Sequence, residues 1–193
     1  MPLNLPGNRW LHGFDAATVA DDLTRIGPVG LIRCLLGERR FRPSGPHAQD
    51  WNVAAHSLNV ALIFLRVRTV RGWPLDWLGY TLAHDVHEAF LGDIPSPVKR
   101  HLEPAFETLA GQIDIGLARY FHLDVPASQA AGVAVAIRHC DQVALLLEAE
   151  EFNLTLERGP DSFSAAVVED FLACGGRAWT FRKDDVVRTS SGI

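Results

Sequence analysis

Cysteine is scarce, and Cys34, Cys140 and Cys174 stand far apart with no CxxC spacing. That excludes a disulfide framework and a thiolate zinc knuckle. Lysine is scarcer still, at positions 99 and 183 alone, and the formal net charge is -5. A chain without a basic excess is not built to bind a nucleic-acid polymer, whose phosphates call for clustered cations. Neither a basic-then-apolar leader nor an apolar run of the roughly 18 residues a membrane span needs is expected from the pattern. A cytoplasmic protein without a membrane partner is therefore expected. Strands are hard to find as well: Val133 to Ile137 alternates only with alanine, inside a helical window. There is no repeat and no low-complexity block.

What is present reads as helices. With 193 residues, 48 % of them hydrophobic, the chain can fill one buried core and is short for two. The expectation is a single all-α domain over 1–193, a helical bundle with residues 1–14 and 180–193 loosely packed. Met1 to Phe14, broken by Pro2, Pro6 and Gly7, reads as a coil-like lead-in, and Asp15 suits an N-cap for a helix to about Ile26. Gly27 and Pro28 interrupt it before a short segment from Val29 to Leu36. Glu38 to Asp50 is turn-rich and carries Arg39, Arg40, Phe41 and Arg42. It is either a solvated loop or an arginine-bearing loop folded over an anion.

From Trp51 to about Val70 the apolar residues recur at helical spacing, and His56 falls on their stripe with Val53, Val60, Ile63, Phe64 and Val67. Further helices are expected over Leu75–Leu91, Glu103–Phe121, Pro126 or Ala127 to Leu154, and Asp161–Ala173, the last closed by Gly175 and Gly176. A loose tail follows from Thr180.

The stretch His84 to Lys99 organises the rest. His84, Asp85 and Glu88 lie within one turn among Leu78, Tyr80, Leu82, Ala83, Val86, Phe90 and Leu91. Acidic side chains are rarely buried unless paired or bound to metal. Gly92 stops the helix, and Asp93 heads a loop stiffened by Pro95 and Pro97, with Lys99 beside it. Asp141 precedes an apolar stripe at Val143 to Leu147 and should point to the same interior, whereas His139 lies on another face. His56, His84, Asp85 and Asp141 then form a set of two imidazoles and two carboxylates from three helices. Such a set suits one divalent transition ion (Mn, Co, Fe, Ni or Zn) better than Ca or Mg.

The order H…HD…D, the string HDVHEAFLGDIPSPVK and the preceding WNVAAHSLNVAL resemble the HD-domain phosphohydrolases. The closest likeness is to the YfbR-like 5'-deoxynucleotidases and related small deoxynucleotide hydrolases, over about Leu36 to Glu151. The resemblance implies an HD-domain bundle, a homo-oligomer, and a divalent metal on His56, His84, Asp85 and Asp141, with Mg on the substrate phosphates a further candidate ion. It implies a small-molecule deoxynucleotide substrate, with metal-activated water attacking the phosphorus of a deoxynucleoside 5'-phosphate. Glu88 and Asp93 match the acidic residues beside the metal, where they would orient water and move the proton. An arginine among Arg39, Arg40 and Arg42, together with Lys99, would neutralise phosphate, and Phe41 or Trp51 would meet the sugar.

This chain departs from the resemblance in two places. The family often carries an Arg–Trp pair in the loop and an acidic residue before the first histidine, whereas Phe41 follows Arg40 and Ala55 precedes His56. One alternative is a triphosphohydrolase, which would need the extra charge of Arg40, Arg42 and Arg100. Two others are a regulatory domain that binds metal and nucleotide without turnover, and an oligomerisation scaffold without metal.

Overall fold

Two apolar cores share one helix, and the polar cluster sits where they meet. The computed structural model describes residues 3–5, 9–11, 13–40, 51–123, 125–152 and 162–175. Phe41, Arg42, Asp161, Gly176 and the tail from Thr180 lie outside the described residues. Among the described residues the fold is all-α apart from one short hairpin, in which β1 (Leu3–Leu5) pairs antiparallel with β2 (Arg9–Leu11). The lead-in is thus not simply coil, since it contributes two short paired strands.

Helix α1 spans Ala16–Gly37 and starts where expected, with the Asp15 side chain accepting from the backbone N–H groups of Ala17 and Thr18. It is kinked at Gly27, whose φ of 69° and ψ of 165° leave the helical region just before Pro28. Glycine takes that φ without the Cβ clash that others would meet. Helix α2, Val53–Arg71, is capped by Asn52, which accepts from Ala55 N at 2.9 Å, and it ends on Gly72 in the left-handed region. Its buried residues lie on nearly every side, as befits a helix wedged between two layers.

On one side of α2, Val53 joins Val19, Leu23, Leu31, Val86, Phe90, Ile113 and Leu117. On the other, Val60, Ile63, Phe64 and Val67 pack on Ala136, Cys140, Val143, Ala144, Val167 and Phe171. The first core draws in α6 (Ala105–Tyr120), and the second is built with α7 (Ala127–Glu151) and α8 (Ser162–Ala173). Helices α2 and α7 are long and apolar enough, by length and composition alone, to cross a membrane. The expectation that no segment is long and apolar enough for a span is thus corrected at these two core helices. Both helices carry members of the polar cluster between the two cores.

The expected helix over Leu75–Leu91 is broken. A 3-10 turn at Leu75–Trp77 leads into α3 (Leu78–Ala83), and a run of turns at 84–87 separates it from α4 (Glu88–Leu91). Through this break the hydrogen bonds tighten to the i−3 pattern, with Val86 N on Ala83 O, Glu88 N on Asp85 O and Ala89 N on Val86 O. In that winding side chains three apart eclipse, so Asp85 and Glu88 stack on one face. Beyond Gly92, Lys99 belongs to a further short helix, α5 (Ser96–Leu102), rather than to a loop. The expected helix from Glu103 accordingly begins at Ala105.

Candidate metal centre

Three elements deliver the four expected ligands to one place. His56 projects from the first turns of α2, His84 and Asp85 from the tightened turn after α3, and Asp141 from the middle of α7. One ligand atom from each of the four lies within 4.8 Å of all the others. His56 Nε2 is 2.9 Å from Asp141 Oδ1 and 3.5 Å from Asp85 Oδ2. His84 Nε2 is 3.2 Å from Asp85 Oδ2 and 4.0 Å from Asp141 Oδ1. The His56 side chain is 0 % exposed and that of Asp141 39 %, so the cluster opens to solvent along the α7 edge.

The protonation pattern fits a cation. His84 Nδ1 lies 2.8 Å from the carbonyl oxygen of Thr81. A carbonyl only accepts, so Nδ1 carries a hydrogen, and Nε2 is the nitrogen that would offer its lone pair to a cation once any proton on it is displaced. That Nε2 is buried and faces Asp85 Oδ2 at 3.2 Å. A ligating histidine that donates its other N–H to a backbone carbonyl is the usual support for a metal. His56 is backed differently: its Nδ1 meets Glu148 Oε1 at 2.8 Å, while Nε2 faces Asp141. With carboxylates at both nitrogens and no cation, the ring holds two protons. Burial and the Arg40 charge push its pKa down, but Glu148 and Asp141 outweigh them and raise it to about 10. Burial works against ionisation of Asp85, yet His84, His56 and Arg40 hold it well below the usual carboxylate range.

Arg40 arrives by backbone pairing. Arg40 N donates to Trp51 O at 2.9 Å and Val53 N to Glu38 O at 3.0 Å, so residues 38–40 run antiparallel to 51–53. This brings the Arg40 guanidinium to 3.2 Å from Asp85 Oδ2 and 3.8 Å from Glu148 Oε2. Arg39 is exposed. Trp51, 3 % exposed, is packed against Phe152 with ring centroids 5.5 Å apart.

Glu88 stands beside the cluster, 1 % exposed, and its Oε1 accepts from Lys99 Nζ at 2.8 Å. Burial and the nearby Asp85 charge raise its pKa to about 7 against the lowering influence of Lys99. Its other oxygen is buried with no partner. Asp93 is positioned through its backbone N–H, which donates to Glu38 Oε1 at 3.3 Å. His87 Nδ1 lies 3.1 Å from Asp114 Oδ1 on α6. His139 is buried and outside the four-residue set.

Glu148 was not singled out by the sequence reading, although it is 0 % exposed and in contact with the first histidine. The available signal was its place seven residues after Asp141, two helical turns along the same face, as an acid inside an apolar stripe.

Comparison with known proteins points to a family. The family model of the YfbR-like 5'-deoxynucleotidases matches residues 42–128, a span that holds His56, His84, Asp85, Glu88, Asp93 and Lys99 and stops before Asp141 and Glu148. The HD-domain, YfbR-like resemblance of the sequence is thereby borne out. An uncharacterized protein of Rhodobacter capsulatus is 34 % identical over 101 residues, 52 % of this chain and 50 % of the relative. The chain thus spans about half the length of the curated relative it matches.

Proposed function

We propose that this chain is a YfbR-like, HD-type phosphohydrolase that converts a deoxynucleoside 5'-monophosphate to the deoxynucleoside and phosphate. The observation that carries the reading is the meeting of His56, His84, Asp85 and Asp141 with Arg40 and Glu88 at their rim. Those four residues would hold a divalent transition ion, which supplies Lewis acidity toward a phosphoryl oxygen and lowers the pKa of water.

Everything else in the proposal is done by side chains. Arg40, steadied by Asp85 and Glu148, faces the non-bridging oxygens and offsets their charge as it grows. Glu88, with a pKa about 7, is populated in both forms near neutrality. It takes the proton from the attacking water and returns it to the leaving 5' alkoxide, work worth about 10²- to 10⁴-fold. Lys99 holds the Glu88 carboxylate in place by its 2.8 Å contact. Asp93, on its tethered backbone, is the second acid that orients water.

The number of cations supports a monophosphate over a triphosphate. Among the described residues, Arg40 and Lys99 reach the cluster, which matches the charge of one phosphate, whereas Arg39 and Arg100 are exposed. The test is a panel of dAMP, dGMP, dCMP, dTMP and their triphosphates with Mn or Co. Release of inorganic phosphate from monophosphates is expected. Release of triphosphate would favour the triphosphohydrolase, and tight nucleotide binding without hydrolysis would favour a regulatory domain.

A further inference from the structure

We propose that Glu148 is a positioning residue that aims both His56, the first histidine of the metal set, and Arg40, the phosphate-facing cation. The inference rests on the metal-dependent reading above and adds to it a residue outside the ligand set.

A carboxylate with no exposed surface needs a reason to be in a core, because taking it out of water is costly. Its neighbours on α7, Val143 and Ala144, are equally buried and apolar, so packing alone would have been served by another aliphatic side chain. The two oxygens of Glu148 do different things. Oε1 sits 2.8 Å from His56 Nδ1, on the side of the ring facing away from the cluster. The nitrogens of an imidazole point in divergent directions, so an acceptor fixed at Nδ1 determines where Nε2 points, and Nε2 is the atom 2.9 Å from Asp141. It also keeps the hydrogen on Nδ1 and leaves the Nε2 lone pair for a cation.

Oε2 faces Arg40 Nε at 3.8 Å, while Asp85 holds Arg40 NH1 at 3.2 Å. One ligand carboxylate and one carboxylate behind a ligand thus flank the guanidinium. Ala55 and Ser57, the chain neighbours of His56, offer no carboxylate, so this support comes across the fold from α7. Losing such a carboxylate behind a ligating histidine typically costs 10- to 100-fold in metal affinity.

The test compares wild type, Glu148→Gln, Glu148→Leu and His56→Ala, each stripped with chelator and titrated with Co²⁺ by calorimetry. Inorganic phosphate is then titrated into the cobalt-loaded proteins. The expected result is a cobalt affinity lowered about 10-fold in Glu148→Gln and toward 100-fold in Glu148→Leu, a shift of the visible cobalt bands, and weaker phosphate binding, with helical content unchanged. If Glu148→Leu does not fold, the nearly isosteric Glu148→Gln carries the test.

Cobalt binding lost in His56→Ala but unchanged in the Glu148 variants would overturn the positioning role while leaving the metal centre standing. Wild-type affinity in His56→Ala, or no binding by wild type, would overturn the metal reading and the role of Glu148 with it.

Discussion

His56 Nε2 and Asp141 Oδ1, from residues 85 apart in the chain, lie 2.9 Å from each other. The contact places a proton where a metal would bind. Because the histidine keeps that proton up to about pH 10 in the metal-free protein, metal uptake near pH 7.5 must expel it. We expect a release of about one proton from His56 per metal bound, against almost none from a histidine of ordinary pKa near 6.5. Calorimetry in buffers of different ionisation enthalpy measures this directly, and a release near zero would contradict the geometry.

The same proton governs the stability of the metal-free protein. A folded-state pKa raised above the unfolded value gives stabilisation that is fully present below the unfolded pKa and is lost as pH rises through the folded one. For His56 that window runs from about 6.5 to about 10, and His84 and His87 are shifted in the same direction. In chelator, the melting temperature should fall as pH rises across this window. His56→Gln should flatten that dependence.

Glu88 and Lys99 form a pair whose two members can be tested separately. Glu88→Gln should lower kcat by about 10²- to 10⁴-fold while leaving metal affinity nearly unchanged. The Lys99 ammonium pulls the Glu88 pKa down from where burial and Asp85 would set it. Lys99→Met should therefore move the ascending limb of the kcat/KM profile to higher pH. A profile unmoved by Lys99→Met would mean that Glu88 is not the group that titrates.

Packing remote from the cluster is open to a separate check at Gly116, on α6. A Cβ there would stand 2.6 Å from Val19 Cγ1 and 3.0 Å from the Ala16 carbonyl oxygen. Backbone cannot give way as a flexible side chain can, so Gly116→Ala should cost about 1–3 kcal/mol. At about 2–4 °C per kcal/mol for a chain of this size, the melting temperature should drop by several degrees. Metal affinity should be unaffected, because α1 and α6 meet outside the four-ligand cluster.

The parts of this site that follow a periodic rule were legible in the sequence. His56 and Asp141 could be assigned inward because each sits in a long helix whose apolar stripe sets its direction. Glu88 can be paired with Asp85 by spacing alone, although the pattern predicts ordinary α-helix where the structure has a tightened turn. Pro95 and Pro97 read as breakers and so predict a loop at Lys99, yet a proline in the first turn lacks only an N–H that the helix leaves unpaired anyway. The choice of Arg40 over Arg39 depended on pairing between residues 38–40 and 51–53, a long-range contact that no local pattern announces. Glu148 lay hidden for a similar reason: a charge in an apolar stripe has no evident partner until His56 and Arg40 are brought to it.

The account stands or falls on where a cation goes. Crystals grown with cobalt and measured at its absorption edge should show one strong anomalous peak bounded by His56 Nε2, His84 Nε2 and oxygens of Asp85 and Asp141, each at about 2.0–2.3 Å. Density elsewhere on the protein, or none among these four side chains at saturating cobalt, would contradict it.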